Sequence, residues 1–104
     1  MEIIESRVQD MITYQVEGRI DTNTSRELQA RLLNGFQKTA SIILDLEQVD
    51  YISSAGLRAL LIGEKTAAAK KGSLNIIHVR PQVMEVFRMS GFDRILHISD
   101  VDGN

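Results

Sequence analysis

The stretch Asp45-Leu46-Glu47-Gln48-Val49-Asp50-Tyr51-Ile52-Ser53-Ser54-Ala55-Gly56-Leu57 joins an apolar strand to a long helical pattern. The run Ile42 to Leu46 lacks polar alternation, which predicts a buried strand. A short polar turn is expected to follow, and then two serines stand immediately ahead of the helical pattern. A serine there caps the free N–H groups of a helix's first turn. Its hydroxyl also lies near the positive end of the helix dipole, where an added phosphate is well placed.

Downstream, the pattern predicts a helix from about Ala55 to Lys71, with Lys70 and Lys71 at its negative end and Gly72 as its stop. Gly56, Leu60, Gly63 and Ala67 fall on one narrow strip, small enough for the helix to lie close on a sheet. Leu57, Leu61 and Ala68 lie beside that strip, and Glu64 falls between the two without an assigned role. Ser54, Arg58, Leu61, Ile62 and Lys65 share a third face, an apolar pair framed by two cations and a serine. That composition suits a contact surface.

Upstream, Ile3 to Arg7 and Met11 to Ile20 read as a β-hairpin turning at Gln9-Asp10, with Ile12, Tyr14 and Val16 on one face. Gly18 marks a bulge or a close backbone approach. Thr24 and Glu27 form a capping-box pattern for a helix carrying Leu28, Leu32, Leu33 and Phe36, which Asn34-Gly35 would end. Asp21 is open to two readings, a capping acid or a functional one.

Beyond the central helix, Leu74 to Val79 reads as a buried strand. Pro81 opens a third helix with Val83, Val86 and Phe87 on one face, and Gly91 stops it. Ile95 to Ile98 is a short last strand, and residues 99–104 form a polar tail expected to fray. The order β-β-α-β-α-β-α-β predicts an α/β fold with a mixed sheet. Its hairpin is antiparallel, its later strands are parallel, and its helices lie mainly on one face.

The chain has 104 residues, which fits a single domain over 1–104. It has no cysteine, so disulfides and thiolate metal sites are excluded. No charged-then-apolar leader or membrane-length apolar run is present, and a soluble cytoplasmic protein, monomeric when free, is expected. The net charge of −2 is spread over interspersed acids and bases. With aromatics limited to Tyr14, Tyr51, Phe36, Phe87 and Phe92, this argues against nucleic-acid binding.

Enzymatic constellations are equally scarce. The chain has no G-x-x-x-x-G-K-[ST] phosphate loop, no G-x-G-x-x-G and no G-x-S-x-G elbow. His78 and His97 fall inside predicted strands, too separated to suggest either a relay to Ser54 or a metal centre. Asp45 and Asp50 are more simply a strand-end acid and a turn acid than a catalytic pair. Neither catalysis nor a metal site is expected.

Asp45-Leu46-x-x-Val49-x-Tyr51-Ile52-Ser53-Ser54-Ala55-Gly56-Leu57 resembles the signature of STAS domains, specifically the anti-sigma factor antagonists of bacteria. Gly18-Arg19-Ile20-Asp21 resembles that family's segment after the second strand, and Val86-Phe87-x-x-Ser90-Gly91-Phe92-Asp93-x-Ile95 its last helix-to-strand passage. The resemblance implies a single STAS domain that acts as a partner switch. Unphosphorylated, it would bind an anti-sigma factor that is also a serine kinase, and so free a sigma factor. Phosphorylation on Ser54 would end that binding, and a PP2C-type phosphatase would restore it. ATP and magnesium would belong to the kinase, leaving this chain without a cofactor.

The implied contact surface joins Asp21, Thr22, Asn23, Ser53, Ser54, Arg58 and Ile62. Two departures from the family stand out. Ser53 replaces a frequent aspartate, which makes it a cap or a secondary acceptor, and the tail is shorter than in members that end in a further helix. The alternative is a STAS scaffold or transport-accessory subunit without phosphoregulation. Membrane and nucleic-acid partners are not expected.

Overall fold

A computed structural model of the chain describes residues 1–99. Its strands are β1 (Glu2–Val8), β2 (Met11–Ile20), β3 (Ser41–Ile52), β4 (Ser73–Ile77) and β5 (His97–Ile98). Its α-helices are α1 (Thr24–Phe36), α2 (Ser54–Ala69) and α3 (Pro81–Ser90), followed by a 3-10 turn at Phe92–Arg94. The single sheet follows chain order, β1-β2-β3-β4-β5; β1 pairs antiparallel with β2, and every later pair is parallel.

Right-handed crossovers that always step in the same direction leave their helices on one side of a sheet. Burial follows that rule. Ile12, Tyr14 and Val16 on β2, Ile42, Leu44 and Leu46 on β3, and Leu74 and Ile76 on β4 are shut from solvent. Their alternates Thr13, Gln15, Ile43, Asp45, Asn75 and Ile77 are only half-buried. The run Ile42 to Leu46 is therefore covered on one face, not on both as its sequence suggests. Leu28, Leu32 and Phe36 of α1, Leu57 and Leu60 of α2, and Val83 and Phe87 of α3 fill the covered side. Each such side chain contributes roughly 1.5–3 kcal/mol of burial.

The polar turn expected after Leu46 does not form. Strand β3 continues to Ile52, pairing Gln48, Val49, Tyr51 and Ile52 with the end of β2 across register shifts at Gln15/Glu17 and Gly18/Arg19. Polar residues read as a turn are instead edge-facing positions of a bulged ladder. Gly18 carries both features foreseen for it, the register shift and a close approach, with Met1 Cα 3.3 Å from where a Cβ would sit.

Helix ends supply further corrections. Asp21 performs the capping expected of Thr24: its Oδ1 accepts from the N–H of Asn23 (3.0 Å) and Thr24 (2.9 Å), and its carbonyl accepts from Ser25 N–H (2.8 Å). Gly35 lies inside α1 and not at its end; a Cβ there would stand 2.7 Å from Tyr14 Oη. Helix α2 is closed by Lys71 at φ 57°, with Lys71 N–H on Ala68 O and Gly72 N–H on Ala67 O, the two bonds of a Schellman motif.

Gly72 serves packing: a Cβ there would lie 1.9 Å from Ala40 O, and Ser73 N–H donates to that carbonyl at 2.7 Å. Gly91, at φ 80°, closes α3 as predicted, and Pro81 opens it. Strand β4 stops at Ile77 because His78 turns away at φ 57°. Strand β5 is reduced to two residues because Phe92–Arg94 and the turn after it take up its expected start. Of the tail expected over 99–104, residues 100–104 lie outside the described residues, and Ser99 N–H donates to Ile76 O at 2.9 Å.

Gly72→Ala should lower unfolding stability by about 1–3 kcal/mol, since backbone and not a flexible side chain must move. Urea denaturation checks this, with an unchanged midpoint as the contrary outcome.

Candidate functional site

Adjacent parallel strands deliver two connections to the same edge of the sheet. Ile20 and Ile52 are register partners at the ends of β2 and β3, and Ser53 N–H donates to Ile20 O at 2.8 Å. Asp21 and Ser53 thus begin two loops that leave the sheet side by side. Gly56 holds α2 down on this edge: a Cβ there would meet Ile20 Cγ2 and Ile52 Cγ1, both at 2.7 Å.

The two serines have different tasks. Ser53 has extended backbone and is the cap, its Oγ accepting from Gly56 N–H at 3.2 Å and its carbonyl from Leu57 N–H at 2.9 Å. Ser54 is the first residue of α2 and is exposed. Its hydroxyl is therefore at the positive helix end without being the group that secures the helix.

Arg58 is exposed one turn further along the same face, and Leu61 and Ile62 are half-buried beyond it. In the neighbouring loop Thr22 and Asn23 are exposed and Asp21 is partly so. All seven residues picked out from the sequence thus lie on the two connections at this edge or along α2.

Asp21 is fixed by a tight local network. Besides its two backbone contacts, its Oδ1 lies 3.1 Å from Thr24 Oγ1, and Thr24 Oγ1 accepts from Asp21 N–H at 2.8 Å. Hydrogen bonds from Thr24, backbone first and hydroxyl second, hold this carboxyl below its ordinary value; Asn23 N–H and the Arg19 charge add to the effect.

Sequence patterning did not single out Arg19 and Tyr51. They are register partners at the bulged end of β2 and β3, and the Arg19 guanidinium sits 4.1 Å from the Tyr51 ring centre. The signal was in the outward phase opposite Ile20 and Ile52, hidden by the assumption that Tyr51 belonged to a turn. Glu64 also gains a role, with His97 Nδ1 3.3 Å from its Oε1. Three side chains of types able to ligate a metal, Asp45, Glu47 and His78, meet away from this edge on the uncovered side of the sheet, a grouping that sequence distance concealed.

The STAS domain family model matches residues 3–102. The chain belongs to the STAS domain family. Among its relatives, BtrV of Bordetella bronchiseptica, described as an anti-sigma factor antagonist, is 32% identical over 101 residues, covering 96% of this chain and 87% of that protein. The fold is shared with TM1081 of Thermotoga maritima, also assigned as an anti-sigma factor antagonist, at a TM-score of 0.85 and 18% identity over 92% of this STAS chain and 84% of that one. The Bacillus protein SpoIIAA, solved in its phosphorylated form, superposes with a TM-score of 0.75 at 18% identity, covering 95% and 90% of the two chains. No helix among the described residues of this STAS protein is long and apolar enough to cross a membrane.

Two outcomes follow from the geometry. Ser53→Ala should cost about 0.5–2 kcal/mol of stability as a lost cap, while Ser54→Ala should stay within about 0.5 kcal/mol of the native chain. Equal losses in urea denaturation would contradict the division between them. Asp21 is stabilised in its ionised form by folding, so its contribution is present above the unfolded aspartate value of about 3.9 and lost as pH falls through the lower folded value. Melting temperatures recorded from neutral pH into that acid range should therefore fall more steeply for the native chain than for Asp21→Asn.

Proposed function

We propose that this protein is an anti-sigma factor antagonist working by partner switching: its unphosphorylated form binds an anti-sigma factor with serine-kinase activity, and phosphorylation of Ser54 ends that binding. The observation that carries this reading is the separation of the two hydroxyls. Ser53 holds the helix, so Ser54 can be modified without removing a structural bond. BtrV, similar over nearly the whole chain, bears the antagonist description, and SpoIIAA has the same fold in a phosphorylated state.

The protein acts by binding and not by catalysis. The kinase contributes ATP and magnesium, and a PP2C-type phosphatase removes the phosphoryl group. Phosphorylation adds about −1.5 to −2 charge, which the N-terminal end of α2 accommodates. The cost falls on the complex, where a dianion would be enclosed at an interface shaped for a neutral hydroxyl. The contact surface in this reading joins Ser54 to Asp21, Thr22, Asn23, Ser53, Arg58 and Ile62, with Arg19 and Tyr51 at its margin.

Incubation with ATP and the cognate kinase should label the native chain once, on Ser54, and leave Ser54→Ala unlabelled by mass spectrometry. Phosphorylation should weaken kinase binding by about 2–5 kcal/mol, roughly 30- to several-thousand-fold, while helix content is unchanged. Ser54→Asp should weaken it in the same direction. Undiminished binding by the phosphorylated chain would exclude the switch and favour a scaffold without phosphoregulation.

A further inference from the structure

Away from the Ser54 edge, three side chains from two strands converge on the uncovered side of the sheet. Asp45 and Glu47 come from β3, and His78 is the residue that follows β4, directly after Ile77, the register partner of Asp45. His78 Nδ1 lies 3.2 Å from Asp45 Oδ1 and 3.8 Å from Glu47 Oε1, and the three donor atoms all fall within 4.8 Å of one another. We propose that Asp45, Glu47 and His78 form a binding site for one divalent first-row transition-metal ion of the zinc type.

An unpartnered ring nitrogen sets this cluster apart from an ordinary histidine–carboxylate pair. His97 Nδ1 and Glu64 Oε1, 3.3 Å apart, make a hydrogen bond. His78 Nδ1 is closer to its carboxylate, yet it makes no hydrogen bond and is itself closed to solvent. The Asp45 oxygen therefore stands beside the axis of the ring nitrogen and not along it. The ring nitrogen is thereby left without a bonded partner and free to serve as a ligand.

The spacing fits a shared ion. Ligand distances of about 2.0–2.2 Å place tetrahedral neighbours about 3.4 Å apart, between the two separations seen from His78. Only Glu47 has to close in, and its side chain is 62% exposed and free to do so. The other parts are held: Glu47 N–H donates to Asp45 Oδ1 at 3.0 Å, and Arg80 Nε donates to Glu47 O at 2.7 Å.

Ligand chemistry selects the ion class. One imidazole with two carboxylates presents a net −2 donor set when the histidine is neutral, matched to a divalent cation. Nitrogen in the set favours zinc, iron, nickel or copper over calcium, magnesium and manganese, which prefer oxygen. Three protein ligands leave at least one coordination position for water or a group from a partner.

The test is titration of the tag-free full chain with Zn2+ by calorimetry and with Co2+ by visible absorption. Saturable one-to-one binding is expected. Affinity should fall at least about tenfold in His78→Asn and in Glu47→Gln and be unchanged in His97→Ala, which removes the other histidine of the chain. Asparagine tolerates the left-handed backbone of position 78, and Glu47→Gln reports on the site even if the His78 variant fails to fold. Absence of saturable uptake at millimolar metal, native affinity in Glu47→Gln, or an equal loss in His97→Ala would overturn the proposal. These outcomes are independent of phosphorylation at Ser54.

Discussion

The hydrogen bond from Ser53 N–H to Ile20 O, 2.8 Å long, is the point on which the arrangement of the site depends. It extends the β2–β3 ladder one residue beyond Ile52 and fixes where the chain leaves the sheet. Because the strands are parallel, both exits occur at the same edge. The loop into α1 and the loop into α2 are then neighbours by geometry, whatever their sequences. Gly56 completes the constraint, since the contact of α2 with Ile20 and Ile52 leaves no room for a Cβ. A shift in this ladder would move Ser54 relative to Asp21 and change the end of the helix at the same time.

That anchoring explains why two consecutive serines can serve different ends. A cap hydroxyl accepts an N–H bond, so modifying it removes a structural interaction. Ser53 makes that bond, and Ser54, one residue on, points a hydroxyl outward at the same positive helix end. The frequent aspartate of the family at position 53 could also cap a helix, since aspartate and serine are comparable there. The departure at Ser53 is therefore conservative for the fold and alters the charge beside Ser54. The absence of a carboxylate from that spot leaves this helix end less negative. Screening limits exposed charges to short range, so the effect is confined to groups near Ser54.

Sequence patterning disclosed most of the architecture because the strongest local signals and the global fold agree. The Gln9-Asp10 hairpin, Pro81 and Gly91 around α3, and the small-residue strip of α2 are determined by neighbours close in sequence. Most of the misses share a cause, a partner distant in the chain, and the Asp21 cap is the local exception. Gly35 looks like a helix stop until Tyr14 is placed against it, and Gly72 looks like a C-cap until the Ala40 carbonyl is seen in its Cβ position. Residues Glu47 to Tyr51 look like a turn because bulged pairing with β2 scrambles their alternation. Asp21 outcompetes Thr24 as a cap because its carboxylate can receive two backbone N–H groups at once. The site was legible where motif residues carried it and illegible where register made it, as with Arg19 and Tyr51.

The uncovered face of the sheet follows from the same topology. A strand order that never reverses puts every crossover on one side, so the other side of this mixed sheet is left to water, contrary to the two-sided cover usual for parallel strands. The chain accommodates this with mixed chemistry: Thr13, Gln15, Ser41, Asn75 and Asp45 stand among Ile43 and Ile77. The outer strand β1 carries Glu2, Glu5 and Arg7, charges of the kind that discourage edge-to-edge pairing. An apolar run such as Ile42 to Leu46 therefore does not by itself specify a strand buried on both sides. Asp45, the residue that ends the run's apolar character on the open face, is also the one that meets His78. The interruption in the hydrophobic pattern is where this face acquires directed polar chemistry, and a two-sided sheet would have had no place for it.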